Sequence, residues 1–504
     1  MIRTFAIAAA ALPLLGAAPA AFVDYRVTLA PTGALAVDMR LSGEPDGETR
    51  LRLPPGAAAT LKVSGASLDA AGDVRTLRHK PGASLRVRYT VAGGGPEAAA
   101  LGEAVFAEPV GWDALSAKVR LGKPPKGWRV VSDLDHAAMG RPLTVGDVRR
   151  SVLVAGPAIR TAEQSTPGGV IRAATLADDR DGPEKLAAAV APAVAAVRSY
   201  LGEPAGPFFV TRAAAPERGL DRDDGFVAPP SGLSDAELRR ALVEAHVDGV
   251  LERQAGRPPA TPAPWLTGGL GRFIADRALV RAGIMSADDW VGRWIDTDAS
   301  SDAAARGAIL ALKWDDDVRR KTGGKAGLDD VVQRMRDHYR RFAPGQGPDT
   351  VTGLVSAVWV TAGLDIRPDI ARYAEGTQPI PLPDELFGGC ILARVTVSPG
   401  FDAGFDTARS FAARTVVGVT RRGPAWNSGV RDGMRLESWT FNAGDRSRQV
   451  ELFVRLPKMS SKAKPRRIAY WPYGDNDVSA RKIQFLPDLT REQVAQCARR
   501  IGGL

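Results

Sequence analysis

A chain of 504 residues, 44% hydrophobic and 25% charged, has a globular composition and is too long for one ordinary core; at about 150 residues per domain it suggests roughly three. Its net charge of +10 is scattered along the sequence rather than gathered on one readable helix or zinc module, which argues against nucleic acid as the partner and otherwise restricts partners loosely. Past the first twenty residues no apolar run approaches the roughly 20 residues needed to span a bilayer, so nothing further is expected to cross a membrane.

Residues 1–20 read as an export signal. Arg3 supplies the charged start, Phe5 to Leu15 the apolar segment, and Ala18-Pro19-Ala20 the small-residue cleavage site. The apolar segment is too short to span comfortably, which favours cleavage over anchoring and places a mature chain in the periplasm or outside the cell. From residue 21 to 162 the pattern is β-rich. Tyr25 to Leu29, Ala34 to Leu41, Arg50 to Leu53 and Ser84 to Val91 alternate between Pro, Gly and Asp turns, as the strands of a β-sandwich do. Trp112 and Trp128, each following a glycine, read as core aromatics. His79 and His136 stand singly, without metal-ligand spacing, and read as surface or hydrogen-bonded histidines.

Residues 163–386 switch to helical periods. Pro183 to Leu201 is an Ala-rich helix, and Pro207 to Val210 a strand. Ser234, with Glu237 three residues later, makes a capping box that opens a helix carrying His246. Successive helical residues turn by about 100°, so side chains meet at spacings of three and four. His246 therefore shares its face with Gly249, Val250 and Arg253, none of them a zinc ligand. Glu244 and Asp248 face each other but lie two residues from His246, rotated roughly 160° away. A lone helical histidine of this kind is more often a hydrogen-bonded core residue than a ligand. Asp315-Asp316-Asp317 reads as a solvated face and His338 as a surface residue.

Residues 387–504 mix strands and helices. Trp426, Trp439 and Trp471 read as core, and the basic stretch Lys458 to Arg467 as a solvated hairpin loop. The last helix, Thr490 to Arg500, carries Cys497. With Cys390 it makes an even count, which in an oxidising compartment reads as a disulfide; two free thiols would instead be inert core residues.

Several segments together resemble a family. They are Ala245-His246, W-L-T-G-G-L at 265–270, the run from Asp276 to Ser286, R-G-A-I-L-A-L at 306–312, R-R-K-T-G-G-K-A-G-L-D-D at 319–330 and R-Y-A-E-G-T-Q-P-I-P at 372–381. This combination resembles the glycyl aminopeptidases, gluzincin metallopeptidases. In the C-terminal part, Val416 to Ala425 followed by Ser428 to Met434 is similar to the strand, Gly-x-Pro-Ala turn and short helix of their PDZ domain. The resemblance implies an α+β multidomain protein: a β-sandwich-like N-terminal domain, a mainly α thermolysin-like middle domain and a C-terminal PDZ-like α+β domain.

It also implies zinc, held by H-E-x-x-H and a later Glu. Here only His246 matches. Val247 stands where the general-base Glu belongs, Val250 where the second His belongs, and Gly268 where the third-ligand Glu belongs. Gly219-Leu220-Asp221-Arg222 is similar to a remnant of the family's Gly-Gly-Leu-Glu-His segment, and Ala304 stands where a Tyr is frequent. The resulting expectation is an exported, catalytically degenerate protein with no catalytic residues and no zinc, binding a peptide or partner protein. The alternative is an active peptidase with a rebuilt site that uses Glu244 and Asp248. A third reading is an envelope structural component with no ligand of its own.

Overall fold

The computed structural model describes residues 22–69, 72–92, 98–135, 142–213, 219–222, 224–229, 232–294, 302–342, 345–375, 378–456, 460 and 464–503. The expected export signal, His136 and most of the Lys458 to Arg467 loop lie outside them. The chain is mixed α+β and divides into two compact units, one of Met1–Ser286, Ala303–Ile380 and Ala498–Leu504, the other of Ala287–Asp302 and Pro381–Cys497. Among the described residues no helix is long and apolar enough to cross a membrane.

The first unit opens with a six-stranded sheet made of β1 (Phe22–Leu29), β2 (Leu35–Ser42), β3 (Lys62–Ser64), β4 (Ser84–Val91), β5 (Ser116–Leu121) and β6 (Leu143–Thr144). Its order is β6-β5-β1-β2-β4-β3. Strict alternation sends Val23, Tyr25, Val27, Val37, Met39, Leu41, Leu85, Val87 and Tyr89 into one core, which Leu51 and Leu77 of a second, four-stranded sheet share. The buried phenols are satisfied: Tyr25 donates to the Ala107 carbonyl at 2.8 Å and Tyr89 to that of Val105 at 3.0 Å. Trp112 and Trp128 pack against this core, and His79 lies 2.8 Å from the Thr49 hydroxyl. The opposite face of the sheet corrects one expectation. Basic residues scattered in sequence are gathered there by the strand register, a long-range property that no local pattern carries.

A five-stranded sheet follows, made of β7 (Arg160–Thr166), β8 (Gly169–Thr175), β9 (Phe208–Thr211), β10 (Leu220–Asp221) and β11 (Gly225–Val227), in the order β7-β8-β9-β11-β10. Helix α1 (Gly182–Leu201) packs on this sheet and on α2 (Asp235–Arg253). A π-helical turn at Trp265–Leu270 leads into α3 (Gly271–Arg281), followed by α4 (Ala303–Thr322), α5 (Leu328–Tyr339) and α6 (Thr350–Ala362).

Helix α4 is covered on more sides than a surface helix, and this overturns the solvated reading of its aspartates. Asp315 and Asp316 are buried. Asp315 lies 2.7 Å from a terminal nitrogen of Arg277, itself fully buried, and 2.8 Å from Arg319 Nε, while Asp316 pairs with Arg320. Burying these charges is tolerable because each meets a guanidinium.

The second unit contains a three-stranded antiparallel sheet of Arg435–Thr440, Val450–Arg455 and Arg466–Tyr470. With Val416, Ala425 and Val430 it makes a small core, on whose edge Trp439 stacks against Phe411 at 4.7 Å. A long ribbon pairs Ile391–Phe401 with Tyr473–Phe485. Trp471 was expected in the core, yet it is 44% exposed and stacks on the equally open Tyr473. It follows Ile468 and Tyr470, which both point into the core, so the period-two alternation of its strand turns it outward. Cys390 and Cys497 are joined as a disulfide with Cα atoms 5.6 Å apart.

Candidate functional site

Helix α2 forms where the sequence places it. Ser234 accepts from the Glu237 amide at 3.3 Å, and the Glu237 carboxylate accepts from the Ser234 amide at 2.8 Å. Leu238, Leu242, Val243, Val247, Val250 and Leu251 are buried along the helix, and His246 is buried among them at 5% exposure. Val247 and Val250 are thus core side chains that offer neither lone pair nor proton.

His246 is held from both sides. Its Nε2 lies 2.9 Å from Oε2 of Glu203, just beyond the Gly202 cap of α1, and its Nδ1 lies 3.1 Å from Oδ1 of Asp221 on β10. Burial disfavours the charged ring, but the two carboxylates outweigh it and hold the pKa up at about 9. Burial likewise pushes Glu203 up, and His246, Arg336 and Arg198 together hold it below its ordinary value. The carboxylates have further partners: Arg253 pairs with Asp221, and Arg336 of α5 lies 3.0 Å from Glu203. Gly249 permits this approach, because a Cβ there would collide with the Asp221 carboxylate and the Arg253 guanidinium.

A cleft of about 620 Å³ opens over the network. His246, Arg253, Arg336 and the loop from Gly202 to Pro207 line it. Arg198 clamps that loop by donating to the carbonyls of Gly168, Gly206 and Pro207 at 2.8, 2.6 and 3.0 Å. Arg336 adds the Leu201 carbonyl and, at 2.9 Å, the Gln254 side chain.

The remaining expected site positions are not brought to His246. Gly268 does not line the cleft; a Cβ added to it would lie 3.0 Å from that of Ala304 on α4. Beside it Gly269 and Gly307 let the π-helical turn approach α4 closely. This surface is built for contact between backbones, and two positions where the resemblance puts functional side chains are small residues within it. Asp248 packs against Gly271, its Oδ1 buried without a hydrogen bond, and burial beside Glu244 raises its pKa to about 9. Glu244 lies 3.7 Å from Arg240. Neither carboxyl group lines the His246 cleft.

Zinc does not fit these residues. A metal ligand must present a lone pair, whereas both His246 nitrogens face carboxylates at hydrogen-bond distance. Among the described residues no group of three or more His, Cys, Asp and Glu side chains is placed to hold an ion. Sequence reasoning found His246 and its face but missed Glu203 and Arg336. It met Asp221 only within the Gly219 to Arg222 segment that carries part of the resemblance, which was the one available signal.

No protein-family model matches the sequence, and no curated protein matches it. Solved structures do. An aminopeptidase N family protein from Idiomarina loihiensis is similar with a TM-score of 0.59 at 12% identity, over 94% of this chain and 99% of that one. An M1 zinc metallopeptidase variant from Deinococcus radiodurans, bound to a Tyr-Ser-Ala substrate, is similar with a TM-score of 0.50 at 17% identity, over 72% of this chain and 95% of that one. A two-domain M1 zinc metallopeptidase variant bound to L-arginine is similar with a TM-score of 0.51 at 17% identity, over the same shares. At these identities the likeness is one of fold, and the chain is peptidase-like in that sense.

Proposed function

We propose that this chain is an exported, catalytically degenerate metallopeptidase-like protein of the PDZ-bearing glycyl aminopeptidase type, and that it holds peptides or partner proteins without hydrolysing them. One observation carries the reading: the His246 ring is engaged on both nitrogens by Glu203 and Asp221. Zinc hydrolysis needs three ligands to acidify a bound water and a carboxylate to take its proton. At the positions matching the family this chain has one histidine, two valines and a glycine. The ion pairs give α2, β10 and the loop after α1 the cross-links that a metal would otherwise supply, and they leave a clamped cleft of a size suited to a short peptide. The pattern from Arg3 to Ala20 supports export.

A second reading, an active hydrolase with a rebuilt site, has Asp248 in its favour. A carboxyl group held near pKa 9 is a proton donor at neutral pH. Elemental mass spectrometry of the purified mature protein, with His246→Ala alongside, tests the leading reading. Sub-stoichiometric zinc, unchanged by the substitution, is the expected result. One zinc per chain, lost on substitution, overturns it, and so does peptide hydrolysis that Asp248→Asn abolishes.

A further inference from the structure

The outer face of the six-stranded sheet carries half the net charge of the molecule. Register sets Arg120, Arg26, Asp38, Arg88 and Lys62 in one row across β5, β1, β2, β4 and β3. The next row holds Lys118, Asp24, Arg40, Arg86 and Ser64. Seven cations against two carboxylates leave +5, where the whole chain has +10. Rows lie about 7 Å apart along the strands, and columns about 4.8 Å apart across them.

The carboxylates are already engaged, Asp38 with Arg86 at 2.9 Å and Asp24 with Arg120 at 3.3 Å. Arg26, Arg40, Lys62, Arg88 and Lys118 are exposed, and none has an ion-pair partner among the described residues. Three like-charged pairs stand directly opposite one another: Arg26 with Arg120, Arg40 with Arg86, and Lys62 with Arg88. Such pairs destabilise a sheet. A face that serves only to be wet has no need of them.

At one corner of this face the turn at Ala57–Thr60 walls a groove of about 670 Å³, where Arg26, Lys62, Arg88 and Asp38 stand among Thr28, Thr60 and Thr90. Tyr89 is the one aromatic residue along the groove, and at 3% exposure its ring belongs to the core. Binding to single-stranded nucleic acid leans on exposed rings that stack with bases, and this groove has none. A bilayer is flat and cannot enter a concavity, and Phe22 at the end of the face is the only large apolar side chain exposed on these strands.

We propose that this face binds a linear anionic polysaccharide, with guanidinium and ammonium groups meeting its carboxylate, sulfate or phosphate groups and threonine hydroxyls meeting its sugar oxygens. The site is separate from the His246 cleft and does not rest on the reading given there.

The test is titration of the full mature chain with heparin, which bears sulfates and carboxylates, and with polygalacturonate, which bears carboxylates alone. A dT oligonucleotide and phosphatidylglycerol vesicles serve as competing classes. R26E/R88E is expected to weaken polysaccharide binding at least roughly tenfold. R26Q/R88Q, which adds no repulsion toward Asp38, weakens it less but in the same direction. K321E/K325E, an equal change of charge on exposed lysines elsewhere, leaves it within about twofold. Equal losses in R26E/R88E and K321E/K325E would reduce the binding to net charge and overturn the proposal, as would tighter binding of the oligonucleotide or of the vesicles than of either polysaccharide.

Discussion

His246 is a buried histidine whose charge is set by the two carboxylates that hold it. With its folded pKa near 9 and its unfolded value near 6.5, the folded state binds the proton more tightly. Its contribution to stability is therefore complete below about pH 6.5 and is lost as the pH rises through 9. Urea midpoints measured from pH 6 to 9.5 should fall across that window, and His246→Gln should flatten the fall. The sequence showed the helix, its cap and the buried face on which this histidine sits. It could not show the partners, because Glu203 is 43 residues away and Arg336 lies 133 residues from Glu203. Spacing rules reach three or four residues, and ion pairs across a fold obey none of them.

At the scale of elements, the loop from Gly202 to Pro207 has no regular hydrogen bonds of its own and depends on a neighbouring helix. Arg198, in the last turn of α1, donates to the Gly206 and Pro207 carbonyls of the loop and to that of Gly168, which also accepts from the Gly206 amide at 3.2 Å. Arg198→Ala should cost about 3 kcal/mol in chemical denaturation and should raise amide exchange in that loop well before it does so in α2. Periodicity served the elements unevenly. The alternation of β1, β2 and β4 and the capping box of α2 were readable residue by residue. The tri-aspartate of α4 was misread because a helix packed on several sides has no solvated stripe, and only the neighbouring Arg277 reveals that. The charge of the first sheet was invisible for a related reason: strands far apart in sequence become rows only once their register is known.

For the whole molecule, the disulfide is the largest single constraint on the unfolded chain. Cys390 and Cys497 close a loop of 107 residues, worth up to about 4–5 kcal/mol in the chain-entropy model. Cys497→Ser should lower the denaturation midpoint by a comparable amount, and a reducing agent should bring the parent protein to the variant's value while leaving the variant unmoved. The order of a β-rich part, a helical part and a mixed part was legible from composition and periodicity, and the resemblance pointed toward a peptidase-like fold. Gly268 and Ala304, small residues where the resemblance puts functional ones, serve packing by letting a π-helical turn and α4 come together.

The network around His246 also bears on how the protein is made. Every charge in it, from Glu203 and Asp221 to Arg253 and Arg336, is encoded in the polypeptide. A site that needs an ion must wait for that ion to be delivered and must compete for it with every other metalloprotein in the same compartment. This one completes itself as the chain folds, and its supply can never run short of the chain.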